Sequence, residues 1–263
     1  MNQRYHPIWW IASLCLIFAV LGRGSAQDHQ STELRVAAAS DLTKAFAEIG
    51  AAYQKRTGVH IALTFGASGI LTKQLENGAP FDLFAAANAT YIDELQRREL
   101  ILADDVHIYA VGHIGLFVRK GAPAPPSTID GVANSRYEHI AIANPKVAPY
   151  GKAAQEALEA AHVWEAVQPR LVLGENIQQT MQFAQTGNAD IAVVSASLGR
   201  AAGGQFVSIP DSLHSPLNQA IGVIKSSPNL EAARKFVTFV LGTEGRAILK
   251  KHGFTFSENR VAG

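Results

Sequence analysis

The sequence predicts an α/β protein of two lobes, and three observations carry that prediction. Short apolar runs alternate with segments of helical periodicity along most of the chain. Several of those runs, such as Leu34 to Ala39 and Asp190 to Val194, are apolar almost throughout instead of alternating, as strands buried on both faces require. Two longer β-prone runs, His107 to Val118 and Asn218 to Ile224, stand apart from this rhythm and suit strands that carry the chain out of one lobe and back. Repeated strand-then-helix units argue parallel sheets with right-handed crossovers.

Leu34 to Ala39 is the first strand, and Ser40 stands where a helix begins. Behind it Leu42, Phe46, Ile49 and Tyr53 recur at helical spacing until Gly58 stops the element. The sharp turn at Ser40 aims the unpaired first N–H groups of the helix, with the serine hydroxyl, beyond the carboxyl end of the strand, where an anion is favoured. The plainer alternative is that Ser40 merely caps the helix. Val59 to Phe65 repeats the strand, Ser68-Gly69 the corner, and Ile70 to Asn77 the helix, closed by Gly78. Phe81 to Ala87 and Thr90 to Arg98 form a third unit.

The run His107 to Val118 and the proline-rich loop Gly121 to Ser127 mark the first crossing. Ile140 to Ala143 is a strand, Asn144 to Gly151 a loop too rich in turn formers to be helical, and Lys152 to Ala161 a helix. Leu171 to Leu173, the helix Ile177 to Gln185 ended by Gly187, and Asp190 to Val194 follow. Asn218 to Ile224 returns the chain, and the amphipathic helices Leu230 to Leu241 and Glu244 to His252 complete it. The expected division is residues 33–112 with 219–263 in one lobe and 113–218 in the other. In such sheets ligands bind beyond the carboxyl ends of the strands, so the corners of both lobes face a shared cleft.

Composition restricts the function. With 263 residues, 48% hydrophobic and 17% charged, the chain is globular and not disordered. A net charge of +1, with basic residues spread along the chain, lacks the footprint of a nucleic-acid binder. Arg4, the apolar run Ile8 to Leu21 and Gly24-Ser25-Ala26 form a secretory signal over residues 1–26, with a retained anchor as the alternative. Cys15, the one cysteine, lies inside that run, so the mature chain has no disulfide and no thiolate nucleophile or ligand.

Four corner motifs together carry a resemblance that none carries alone. Ala37-Ala38-Ala39-Ser40-Asp41-Leu42, Phe65-Gly66-Ala67-Ser68 and Gly78-Ala79-Pro80-Phe81-Asp82-Leu83-Phe84 resemble the periplasmic molybdate-binding proteins of ABC importers, the ModA family. Asn144 to Gly151, Gly174 to Ile177, Ala189 to Val194 and Lys251 to Phe254 agree with it, so the match spans Leu34 to Phe256. The resemblance implies a type II periplasmic-binding-protein fold, two Rossmann-like lobes joined by two crossing strands. It also implies a periplasmic, monomeric protein without cofactor or catalytic residues. Such a protein captures molybdate or tungstate and delivers it to the membrane permease of an ABC importer. The metal is held as its oxyanion, each contact being made to an oxygen, through Ser40, Ser68, Tyr150 and Ile177, with Asp41 adding a backbone N–H. Where many members carry a tyrosine after the Asp190 strand this chain has Ser195, a shorter donor, and the phenol of Tyr150 is expected to supply the missing bond.

The donor set fits that ligand. Molybdate has no proton at neutral pH and only accepts hydrogen bonds, so N–H and O–H donors suit it, each charge-assisted bond contributing roughly 1.5–3 kcal/mol. No lysine or arginine stands at the four corners at positions 40, 68, 150 and 177, which leaves helix N-termini to hold the charge. Phosphate usually keeps a proton and needs an acceptor; sulfate does not, and is the rival solute. Asp41 is the blemish, and its carboxylate is expected to turn away and accept bonds from the protein. A hydrolase is disfavoured because Gly66-Ala67-Ser68-Gly69 is followed by Ile70, which breaks the nucleophile-elbow pattern. The nine histidines are scattered, without H-E-x-x-H, and the tyrosines do not cluster as an iron site needs.

Overall fold

A computed structural model describes residues 33–256; the secretory signal expected over 1–26 lies outside the described residues. Two five-stranded sheets organise the chain. The first comprises β1 (Glu33–Ala39), β2 (His60–Gly66), β3 (Leu83–Ala86), β4 (Ile101–Gly112) and β10 (Leu217–Ile224), in the order β2-β1-β3-β10-β4. The second comprises β5 (Ile114–Val118), β6 (Ile140–Ala143), β7 (Leu171–Gly174), β8 (Ile191–Ser195) and β9 (Gln205–Ser208), in the order β7-β6-β8-β5-β9. The two orders correspond place for place. In each, three parallel strands are joined by one antiparallel strand, β10 or β5, and an outer strand pairs with that one.

The parallel strands are apolar because both faces are covered. In β1, Leu34, Val36 and Ala38 pack into one apolar cluster and Ala37 into the other; in β3, Leu83 and Ala85 divide in the same way from Phe84 and Ala86. The helix α1 (Thr43–Thr57) buries Phe46, Ile49 and Tyr53, the stripe its sequence predicts. Against it lies α8 (Leu230–Leu241), whose Phe236 meets Tyr53 edge-on with ring centres 5.2 Å apart. Gly58 ends α1 at φ 78°, a left-handed conformation that glycine adopts at little cost.

Three elements differ from the sequence expectation. The run His107 to Val118 is two strands in different sheets, broken at His113, whose ring bonds Asp211 and Thr255. β4 also begins earlier, at Ile101, because its ladder with β10 resumes at Ile101↔Ile224 beyond an irregularity that takes in the charged pair Asp104-Asp105. The helix α4 (Pro149–Ala160) begins inside the stretch expected to be a loop, with proline at its first position, where the missing N–H costs nothing. β9 lies where no strand is expected; it is a four-residue edge strand with mixed burial and no clean alternation.

Two carboxylates in the corner motifs are structural. Asp82 accepts bonds from the Arg35 N–H at 2.8 Å, the Ser227 hydroxyl at 2.6 Å and Asn229 at 3.2 Å. Asp190 accepts the N–H groups of Glu138 and His139, both at 2.9 Å.

Candidate functional site

Four chain reversals, two from each sheet, meet at one small cavity. From the first sheet come the end of β1, which passes through a 3-10 turn (Ser40–Leu42) into α1, and the start of α2 (Ser68–Glu76) after β2. From the second come the starts of α4 and of α6 (Ile177–Thr186). The lining is Ala39, Ser40, Asp41, Gly66, Ala67, Ser68, Ala87, Ala148, Pro149, Tyr150 and Ile177, with no lysine, arginine or histidine. The cavity measures about 10 Å³. That is room for one small compact ion and none for an organic chain.

Each helix start leaves donors unpaired. Ser40 caps nothing: the 3-10 turn has Ala39 at its N-cap, α1 has Leu42, and neither makes a side-chain capping bond. Ser68 is likewise the first residue of α2 and not its cap, and its Oγ accepts the Ala87 N–H at 3.0 Å. A hydroxyl that accepts there keeps its own proton to donate. The next N–H, of Gly69, bonds the Val147 carbonyl at 2.9 Å and ties α2 to the loop before α4. Pro149 has no N–H, so Tyr150 offers the first one of α4. The Asn176 cap takes the N–H of Gln179 at 3.0 Å, leaving that of Ile177, the first residue of α6.

Asp41 is 1% exposed. Its Oδ2 accepts the Tyr150 hydroxyl at 2.9 Å and Gln219 Nε2 at 2.7 Å. Gln219 Nε2 also donates to the Tyr150 oxygen at 2.9 Å, and Gln219 Oε1 accepts the Tyr109 hydroxyl at 2.7 Å. Burial pushes the Asp41 carboxyl up to about 6, against the opposing pull of Gln219, Tyr150 and its own amide. Burial, then the adjacent Asp41 charge, holds the Tyr109 and Tyr150 phenols well above their ordinary range, so both stay neutral donors.

Five of the six residues singled out from the sequence, Ser40, Asp41, Ser68, Tyr150 and Ile177, line the cavity. Two expectations need correction. The phenol of Tyr150 does not supply the missing bond to an anion: its proton goes to Asp41. Ser195 is not among the lining residues. It caps the short helix α7 (Ala196–Gly199) and lies 2.9 Å from Ser197 Oγ, whose own proton goes to the Asp41 carbonyl at 2.9 Å. The proton between the two serines therefore comes from Ser195, which has none left for a ligand.

The sequence reading missed Gln219, Tyr109 and Ser197. Gln219 left a trace, because it stands in phase with the buried Ile221 and Val223 of β10, and a polar residue in an apolar phase needs a buried partner. Room for the network comes from Gly112, where a Cβ would press on the Tyr150 hydroxyl and lie 2.9 Å from Gln219 Nε2.

Known proteins share this architecture. The family model described as "Bacterial extracellular solute-binding protein" matches residues 34–255. The molybdate-binding protein ModA of Azotobacter vinelandii is 32% identical over 92% of this chain and 98% of its own. That of Rhodobacter capsulatus is 33% identical over 88% and 91%. The solved structure of the Azotobacter vinelandii periplasmic molybdate-binding protein superposes with a TM-score of 0.80 at 26% identity, covering 85% of this chain and 99% of that one. The sulfate-binding protein SubI of Mycobacterium tuberculosis, at 16% identity and a TM-score of 0.74, shares the fold. By the extent of the family model and by relatives above 30% identity along nearly its whole length, the chain belongs to the extracellular solute-binding proteins, within the ModA family.

Proposed function

We propose that this protein captures molybdate, and tungstate equally, outside the cytoplasm and delivers it to the permease of an ABC importer. One observation carries the reading: four helix starts from two sheets converge on a cavity of about 10 Å³ whose lining has no basic side chain. An unprotonated tetrahedral dianion matches that donor set. Hydroxyl protons come from Ser40 and Ser68 and backbone N–H groups from Ser68, Tyr150 and Ile177, while the aligned helix dipoles favour the charge. The relatives named for molybdate support the choice of ion. The protein acts as a monomer, is exported by the N-terminal signal, and binds without cofactor or catalysis.

The donors are divided between two lobes, 33–112 with 219–263 and 113–218, so an anion stabilises the closed arrangement by holding both at once. The closed contacts include the Gly69–Val147 backbone bond and the bond from Lys44 to the Ala201 carbonyl at 3.2 Å. A permease can then distinguish loaded from empty protein.

Calorimetric titration with molybdate, tungstate, sulfate and phosphate tests the reading. Molybdate and tungstate are expected to bind alike at micromolar concentration or below, with sulfate weaker and phosphate weakest. Sulfate binding more tightly than molybdate would overturn the choice of ion.

A further inference from the structure

Asp41 Oδ1 is buried, belongs to a residue that lines the anion cavity, and has no hydrogen-bond partner. The network around it decides where a proton can sit. Tyr109 donates to Gln219 Oε1, which turns the amide so that Nε2 faces Asp41. Oδ2 then receives two donated protons, from Gln219 and Tyr150, and has no place for one of its own. A proton on this carboxyl therefore sits on Oδ1, where no protein acceptor meets it. The acceptor left for it is an oxygen of an anion held in the cavity that Asp41 lines.

Resting on the reading of the cavity as an oxyanion site, we propose that Asp41 takes up one proton from solvent when the dianion binds and donates it, from Oδ1, to an anion oxygen. The step balances as one proton from bulk water added to one carboxylate, with no other bond made or broken. An ionised carboxylate in the lining repels a dianion, whereas the acid form supplies a further donor. The site would thus be filled by dianion plus proton, and its affinity would depend on pH although the ligand itself does not titrate.

The surrounding groups leave Asp41 as the one titrating centre. Tyr109 on β4 and Tyr150 on α4 stay neutral, Gln219 on β10 and Ser197 on α7 carry no charge, and α6 has no titratable side chain. On β2, His60 is at the far end from the cavity and pairs with Glu33. On α4, Lys152 and Glu156 pair with each other, and Lys44 on α1 is turned to the Ala201 carbonyl. The raised affinity of the buried Asp41 carboxyl for its proton agrees with this assignment.

The test is calorimetry of molybdate binding to the whole protein at pH 8 in two buffers of different ionisation enthalpy. Uptake of close to one proton per anion is expected, with Kd weakening about tenfold per pH unit above pH 7. Asp41→Asn presents an amide donor at the same place and is expected to bind with no proton uptake and no pH slope. Zero uptake in the wild type, or the same uptake in Asp41→Asn, overturns the proposal; the wild-type measurement suffices if the variant does not fold. Phosphate binding more tightly than molybdate, without uptake, also overturns it, since Oδ1 would then accept a proton carried by the ligand. If sulfate binds with uptake where molybdate does not bind, the proposal stands and the molybdate reading falls.

Discussion

Gly112→Ala tests the buried network from the side opposite the anion. A Cβ at this position would overlap the Tyr150 hydroxyl and approach Gln219 Nε2 to 2.9 Å and Tyr150 Cζ to 3.0 Å. Neither partner is free to move, because the hydroxyl is held by Asp41 at 2.9 Å and the amide by Asp41 and Tyr109 at 2.7 Å each. Overpacking a closed site costs about 1–3 kcal/mol. Driving the phenol off the carboxylate removes a bond to a charged group, roughly 1.5–3 kcal/mol more. The sum is on the order of 4 kcal/mol, which in a domain of this size lowers Tm by about 10 °C. Urea unfolding of Gly112→Ala, Tyr150→Phe and the double variant closes the cycle. Because Tyr150→Phe removes the atom that the new methyl strikes, the double variant is expected to fall short of additivity by at least about 1 kcal/mol. Additive losses would show that the glycine does not make room for the phenol, and the account of the network would be wrong.

Other perturbations give separate readings. Ser40→Ala and Ser68→Ala each remove one hydroxyl donor and are expected to weaken molybdate roughly 10- to 150-fold by titration; Ser40→Ala should leave the unfolding midpoint unchanged, whereas Ser68→Ala also strands the buried Ala87 N–H and should lower stability by about 1–3 kcal/mol. Asp82→Ala strands the Arg35 N–H and the Ser227 and Asn229 side chains, and should lower stability by about 3 kcal/mol in urea while the folded protein keeps its affinity. In the ligand-free protein, Asp41 holds its proton more tightly when folded than the ordinary 3.8 of the unfolded chain. Its contribution is therefore fully present below pH 3.8 and is lost as pH rises to about 6, a fall of about 3 kcal/mol that Asp41→Asn should lack when the unfolding midpoints are compared across that range. Ser195→Ala should leave anion affinity unchanged, since its proton serves Ser197.

Much of this architecture is legible in the residues because local rules and tertiary packing agree. Leu34 to Ala39 is apolar on both faces and is buried on both; Phe46, Ile49 and Tyr53 form the stripe their spacing predicts. Where the two levels disagree, tertiary pairing decides. Asp104 and Asp105 lie within β4 because β10 pairs on either side of them, with Val106 and with Ile101, and Asn144 to Gly151 becomes helical from Pro149 because a proline suits a first turn. The cavity corners are readable because strand-to-helix turns have a local signature. The contacts behind them are not, because Asp41, Tyr150, Gln219 and Tyr109 come from four separate stretches and only their register in three dimensions sets each proton's direction. The family resemblance points to Tyr150, which lines the cavity, yet a resemblance carries no information about which way a phenol points.

The place of β10 in its sheet has a consequence for how the molecule comes into being. It lies between β3 and β4, and among the described residues β4 has no other strand beside it. Ribosomes release β1 to β4 long before Leu217, so the half-made sheet waits with an open flank while every strand of the other sheet emerges and pairs. The second sheet, continuous in sequence, can mature first, and the founding strands are sealed only near the end of synthesis. A truncation just before Leu217 would therefore leave an orphaned edge on β3 and a stranded β4, an invitation to intermolecular pairing, although most of the anion-facing corners had already been made.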